Sequence, residues 1–315
     1  MRFKDRRVDT SGVDDLRGRG GRTGPGLAIG GGAGLIGLIV VIAFTLLSGG
    51  SLPPGAFDVS QLDGGVLGDQ PGTVQESDLA ERCVTEDALE RYDDCYLVKI
   101  YNETDEVWGE QFAAGEFADA DLAGAASNAE YRAPRMAFFT DYVSTGCGGA
   151  SAEVGPFYCP PDERIYFDLG FLAELQQQFG AEGRYAQAYI LAHEYGHHLQ
   201  TILGIERRVR QLQQQNPSQA NELSVRMELQ ADCFAGVWGA LANEQGNVTI
   251  TEAELQQAQD AAAAVGDDRI QRKTQGRVDP EAWTHGSAEQ RREWYLVGYR
   301  SADAAQCDTF SADQP

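Results

Sequence analysis

The residues best suited to chemistry lie in the segment His193-Glu194-Tyr195-Gly196-His197. On a helix, residues four positions apart share one face, so the imidazoles of His193 and His197 would point at a common spot. Neutral imidazole nitrogens are favourable zinc ligands, and catalytic zinc sites keep one coordination position open for water. Glu194 follows the first histidine and would reach that water as a general base. The segment therefore predicts a Zn²⁺ site that activates water.

A catalytic zinc site needs a third protein ligand, and a second predicted helix offers one. Glu228 and Asp232 lie four residues apart on that helix, so their carboxylates share a face. Glu228 is predicted to be the third ligand, because the 31 residues after His197 leave room for a loop and an antiparallel return. Asp232 is predicted to accept the free N–H of a ligating histidine. The apolar residues around the pair indicate a buried helix, where carboxylates need partners.

Two further histidines lie outside this pattern. His198 is five residues from His193, about 140° around a helix, so it is predicted to be structural. His285 precedes a predicted helix, where a loop could present it to the cleft. A peptidase needs a donor for the oxyanion that develops on the attacked carbonyl, and His285, Tyr158 and Tyr166 are the candidates. A capping or packing role is the alternative for His285.

The order of these residues resembles that of the gluzincin zinc metallopeptidases, with two histidines and a glutamate in His-Glu-x-x-His followed by Glu-x-x-x-Asp. The chain is more closely similar to the bacterial putative neutral zinc metallopeptidase family. Four segments carry this similarity: Cys159–Asp168, Leu191–Gln200, Glu228–Gly236 and Thr284–Ser287. The resemblance covers most of residues 55–310. It implies a zincin-like fold, peptidase activity, and one membrane segment ahead of an extracytoplasmic domain.

The resulting hypothesis is a zinc peptidase that acts on peptides or proteins. Glu194 would take a proton from the activated water and pass it to the leaving amine. No Gly-x-Met-Glu-Asn type segment for gripping a free amine precedes the motif, which favours an endopeptidase over an aminopeptidase. The alternative is a non-catalytic, membrane-anchored zinc-binding or scaffold protein. Such a structural site would use four protein ligands and leave no position open.

Charge and hydropathy are unevenly distributed along the chain. The net charge is −23, although residues 1–26 carry seven Lys/Arg against four Asp. This acidity excludes nucleic acid as a partner. Residues 27–47 contain no charged side chain over a length that matches a bilayer core. We therefore predict an uncleaved transmembrane helix over 27–48, with a cleaved signal peptide as the alternative.

The predicted anchor divides the chain into four parts. By the positive-inside rule, residues 1–26 form a basic cytoplasmic tail, predicted to be disordered. Residues 49–77 are rich in Gly, Pro, Asp and Ser and are predicted to be a flexible linker. Residues 78–310 then form the extracytoplasmic catalytic domain of a single-pass cell-membrane protein.

Six cysteines follow the membrane segment, and an even number in an exported domain indicates disulfides. Six cysteines permit 15 pairings. Proximity along the chain favours three of them: Cys83–Cys95, Cys147–Cys159 and Cys233–Cys307.

Long helices must position the proposed ligands. The motif helix is predicted from Arg184 to Leu203, where Gly204 would end it. A second helix is predicted from a Ser218 cap to about Leu241. Strand character at 131–139 and 164–168 precedes the motif helix. Two capping boxes predict later helices, Thr251 with Glu254 and Ser287 with Gln290. The expected fold is α+β and mostly helical, with a small sheet.

Overall fold

The computed structural model describes residues 1–18, 78–117, 129–171 and 183–311. The predicted transmembrane helix at 27–48 and the predicted linker at 49–77 lie outside these ranges. Within the described ranges, none of the helices combines the length and the apolar character that a membrane span requires.

Eight short strands occur in the described residues and form three small sheets. They are β1 (Arg2–Phe3), β2 (Val13–Asp15), β3 (Arg135–Phe139), β4 (Tyr142–Thr145), β5 (Gly148–Ser151), β6 (Phe157–Cys159), β7 (Arg164–Asp168) and β8 (Val248–Thr249). The largest sheet has the order β2-β3-β7-β6. In it β3 is parallel to β2 and β7, whereas β6 is antiparallel to β7. Strands β3 and β7 lie within the two segments with predicted strand character.

Nine α-helices account for most of the described structure. They are α1 (Leu79–Arg82), α2 (Ala88–Arg91), α3 (Asp93–Ala114), α4 (Arg184–Ile202), α5 (Ile205–Gln215), α6 (Ala220–Glu244), α7 (Glu252–Ala264), α8 (Asp267–Gln275) and α9 (Ala288–Ser301). The prediction of a mostly helical α+β fold is confirmed. A zincin-like fold stays a prediction.

Of the three helix starts predicted from caps, two are found and one is not. Helices α7 and α9 begin at the two predicted capping boxes, and both boxes are complete. The predicted Ser218 cap is wrong, because Ser218 lies in a short 3-10 helix and α6 begins at Ala220. Helix α6 receives no side-chain cap, since the preceding 3-10 turn leads the backbone directly into it.

Helix α6 lies at the centre of the core and packs against α4 on one side and α9 on another. The α6–α9 contact brings the two backbones together at paired glycines. A Cβ added to Gly236 would lie 2.0 Å from the Tyr295 carbonyl oxygen, and one added to Gly298 would lie 1.9 Å from that of Cys233. No other residue type fits such an approach. The two helices are therefore held in one register.

Residues 1–18 form an N-terminal arm that lies on the domain. Strand β1 pairs antiparallel with β8, and β2 pairs parallel with β3. The Met1 ammonium forms an ion pair with Glu254, and Arg17 reaches Asp94 at 2.9 Å. The predicted disorder of the tail is therefore wrong for these residues, because the arm adds strands to the domain and its Arg6 and Arg17 have carboxylate partners there. A tail across a membrane from the domain could not form these pairs.

The three disulfides connect the cysteines that proximity favours. Cys83 is bonded to Cys95, Cys147 to Cys159, and Cys233 to Cys307. The last bond closes a 74-residue separation and ties the segment after α9 to α6. Covalent closure of a loop this long strongly restricts the unfolded chain.

Candidate metal and catalytic site

Helices α4 and α6 bring the three predicted ligands together. Nε2 of His193 lies 3.3 Å from one carboxylate oxygen of Glu228, and Nε2 of His197 lies 3.6 Å from the other. One donor atom from each of the three residues can be chosen so that all three atoms lie within 4.8 Å of one another. Ligands at 2.0–2.1 Å from zinc with tetrahedral angles lie about 3.4 Å from one another. The observed spacing therefore fits a zinc ion.

Two buried polar atoms at this point have no hydrogen-bond partner among the described residues: Nε2 of His197 and Oε2 of Glu194. Buried polar atoms are nearly always satisfied in folded proteins, so each exception requires an explanation. A cation bound by His197, with a water beside Glu194, would satisfy both. The donor set and the two unpartnered atoms together fit a catalytic metal.

The far side of each imidazole is held by an acceptor. His193 donates from Nδ1 to Oδ1 of Asp232 at 2.8 Å, and His197 donates from Nδ1 to Oε1 of Gln200 at 2.8 Å. The Gln200 amide nitrogen donates to the Met227 carbonyl at 2.7 Å, so its oxygen faces the imidazole. These bonds place the proton on Nδ1 and leave the Nε2 lone pair free for a metal. Gln200 was not predicted, although its position three residues after His197 is a visible signal.

Asp232 has two further partners that the sequence does not reveal. Arg291 donates from Nε to Oδ2 at 2.8 Å and from Nη2 to Oδ1 at 3.0 Å. The Tyr189 hydroxyl also donates to Oδ1. Arg291 comes from α9, 59 residues after Asp232, so no local spacing links them.

Burial and charge set the protonation of the site. Burial raises the pKa of Glu194 to about 7 and lowers that of His197 to about 4. At His193 burial lowers the pKa, but the neighbouring carboxylates of Asp232 and Glu228 outweigh this effect and raise the pKa to about 9. A proton on His193 therefore balances the two acids when no cation is present. A divalent cation would replace that proton, which makes metal binding pH-dependent.

His285 borders the same site from the loop before α9. It lines a cavity of about 50 Å³ together with Glu228. Its Nδ1 lies 3.3 Å from Oδ1 of Asp267, and Oδ2 of Asp267 accepts the backbone N–H groups of residues 284–286. The other predicted donors bond elsewhere: the Tyr158 hydroxyl contacts His198, and the Tyr166 hydroxyl donates to Asp162. Of the three candidate oxyanion donors, His285 lines this cavity, whereas Tyr158 and Tyr166 do not.

His198 lies on the side of α4 away from the ligands. Its Nε2 donates to the Arg132 carbonyl at 2.6 Å, and its Nδ1 accepts from the Tyr158 hydroxyl at 3.1 Å. The ring is fully buried, and burial lowers its pKa to about 4. With Nε2 as donor and Nδ1 as acceptor the imidazole is neutral, and these contacts agree with the structural role predicted for His198.

This burial predicts acid sensitivity. Between about pH 6.5 and 4 the unfolded chain binds a proton at His198 that the folded protein does not, so the free energy of unfolding falls as pH decreases through that window. The loss is expected to approach ~3 kcal/mol. Urea unfolding in chelator at several pH values measures it, with His198→Gln as the comparison. An identical pH slope in the two proteins would contradict the assignment.

The chain matches a family model and is similar to proteins from Escherichia coli and Mycobacterium. A model of the family described as "Putative neutral zinc metallopeptidase" matches residues 1–310. The Escherichia coli K12 protein named "Uncharacterized protein YpfJ" is 39% identical over 317 residues, covering 98% of this chain and 99% of that protein. The Mycobacterium tuberculosis H37Rv protein named "Uncharacterized protein Rv2575" is 43% identical over 263 residues, covering 79% of this chain and 83% of that protein. No solved structure was found to match.

Proposed function

This chain belongs to the putative neutral zinc metallopeptidase family, and from the site geometry we propose that it is a zinc-dependent endopeptidase. His193, His197 and Glu228 would hold Zn²⁺, and Glu194 would act as the general base. The observation that carries the proposal is the pair of unpartnered buried atoms, Nε2 of His197 and Oε2 of Glu194. A purely structural zinc site leaves the Glu194 carboxylate unexplained, because such sites close with four protein ligands.

Zinc, when bound, would polarise the peptide carbonyl and lower the pKa of water. Glu194 accepts one proton from the attacking water as the new C–O bond forms. It then delivers that proton to the amide nitrogen as the C–N bond breaks. Burial raises the pKa of this carboxyl to about 7, so the group can both accept and return a proton near neutral pH.

The edge strand of the largest sheet is an argument for a peptide substrate. Strand β6 is the last strand of that sheet, and its pairing in the described residues is with β7. The backbone N–H of Tyr158, in β6, bonds to Glu194, so the strand runs beside the base. An extended peptide adding to such an edge would pass the metal site along its length. Binding of this kind suits cleavage within a chain.

His285 is proposed to stabilise the oxyanion, oriented by Asp267. Replacing His285 with Leu is expected to lower kcat about 10²-fold, since a donor to the developing charge is lost. KM and zinc content should change little. Steady-state kinetics and metal analysis measure both, with Ser224→Ala as the control, because Ser224 lines the same cavity. Unchanged kcat in the His285 variant would leave it a packing residue.

The three disulfides support a location outside the cytoplasm, because such bonds persist in oxidising compartments. We propose that residues 78–310 act there. A single membrane crossing at 27–48 with a cytoplasmic N-terminus is not part of this proposal, because residues 1–18 pair with the domain and must lie on the same side of the membrane.

The test of the proposed function uses the purified full-length chain and a mixed peptide library. Cleavage at internal bonds is expected, with loss of activity in chelator and recovery on addition of Zn²⁺. A protein that binds zinc at one equivalent but cleaves nothing in the library would favour the scaffold alternative. A protein that binds no zinc would refute both.

A further inference from the structure

Arg291 is a buried cation with no part in the chemistry proposed above. Arg291 is 3% exposed, and it lies on α9 rather than on the two helices that carry the ligands. Removing a guanidinium from water is costly unless its partners compensate. Its position behind the metal site therefore requires an explanation.

The contacts of Arg291 converge on Asp232. The guanidinium donates to both carboxylate oxygens, at 2.8 and 3.0 Å, and a further donation at 3.3 Å reaches the Tyr189 hydroxyl. Asp232 is fully buried, and its Oδ1 accepts the hydrogen bond that His193 donates from Nδ1. A carboxylate held at both oxygens cannot rotate about its terminal bond. The acceptor for His193 is thus fixed in direction.

The backbone places Arg291 where these contacts are required. The complete capping box at Ser287 and Gln290 fixes the first turn of α9. The glycine contact of Gly236 and Gly298 sets the register between α9 and α6. Arg291 and Asp232 are therefore held by rigid elements rather than by loops.

We propose that Arg291 is a positioning residue for the metal centre: by clamping Asp232 it holds the His193 ring in the orientation that presents Nε2 to the cation. The inference rests on the proposed function only in taking His193, His197 and Glu228 as the metal ligands. The competing explanation is that Arg291 only balances the charge of Asp232 in the core. The two explanations differ in whether lysine could substitute for Arg291, because lysine keeps the charge but offers no planar pair of donors.

The test measures zinc affinity of the full-length chain by chelator competition, without any peptide. Arg291→Lys is expected to fold but to bind Zn²⁺ about 10- to 100-fold more weakly. Arg226→Lys is the matched control, because Arg226 is also a buried arginine, but it pairs with Glu222 at 2.8 Å and with the Thr309 carbonyl rather than with Asp232. It should leave zinc affinity unchanged. Wild-type affinity in Arg291→Lys would overturn the proposal.

A second variant guards against misfolding. In Asp232→Asn with Arg291→Met both charges are removed, so the core contains no unpaired ion. This double variant is expected to fold but still to bind zinc more weakly than the wild type, since the side chain at position 232 is no longer held by a guanidinium. Recovery of wild-type affinity in this double variant would show that only charge balance matters.

A spectroscopic readout follows the His193 ring directly. In the protein saturated with zinc, the Nδ1–H proton of His193 should give a persistent signal in ¹⁵N-histidine NMR. In Arg291→Lys it should exchange with water at least several times faster, and equal exchange rates would oppose the proposal. Failure of wild-type protein to bind zinc would instead refute the proposed function.

Discussion

Replacing Glu194 with Gln is expected to lower kcat by about 10³-fold or more while leaving one zinc bound per chain. Glutamine keeps the shape of the side chain but cannot accept a proton from water. Because Glu194 is not a ligand in the proposed site, chelator competition should give wild-type zinc affinity. Steady-state kinetics together with metal analysis of the same sample tests both halves of the prediction.

Glu206→Gln is the matched control for this experiment. Glu206 lines the cavity beside Glu228 and pairs with Arg210, so the control removes a nearby carboxylate without touching the base. It should retain most activity. Substantial turnover by zinc-loaded Glu194→Gln protein would mean that another group is the base.

Activity of the wild type should also fall at acid pH. Glu194 must be ionised to accept a proton, and burial, the largest of several causes, raises its pKa to about 7. A bound cation would lower that pKa, because it favours the charged carboxylate. The acid limb of kcat/KM is therefore expected below pH 7.

Replacing Glu228 with Gln is expected to have the largest effect on zinc. The change removes the one anionic ligand of the proposed set, so zinc affinity should fall by more than the 10- to 100-fold that outer hydrogen-bond partners contribute. Binding to the folded state raises thermal stability. Zinc should therefore raise the unfolding temperature of the wild type and leave that of the variant almost unchanged. Thermal scans with and without Zn²⁺ measure this.

Glu222→Gln is the control, because Glu222 lies on the same helix but is half-exposed and pairs with Arg226. Its unfolding temperature should respond to zinc as the wild type does. Equal zinc affinity in wild type and Glu228→Gln would remove Glu228 from the site and require a different third ligand.

Helical spacing explains why much of this site was predictable. His193, Glu194 and His197 lie on adjacent turns of one helix, so their geometry follows from local structure. Glu228 and Asp232 share a face for the same reason. The capping boxes of α7 and α9 are equally local. Most of what was predicted of this site is therefore what a single helix determines on its own.

Contacts between distant segments were not predictable in this way. The bonds from Arg291 to Asp232 depend on how α9 crosses α6, and the paired glycines that permit this crossing have no fixed spacing. The N-terminal arm is a second case, because its arginines give the composition of a solvated tail. Only the folded domain supplies the carboxylates and strand edges with which the arm pairs.

The N-terminal arm has a practical consequence for anyone preparing the protein. A shortened version starting beyond residue 48 would lack β2, and the apolar strand β3 would then offer its open side to a neighbouring molecule. Such sides recruit further strands, so shortened material should tend to self-associate and precipitate. A purification tag fused ahead of Met1 would likewise displace the ammonium that meets Glu254.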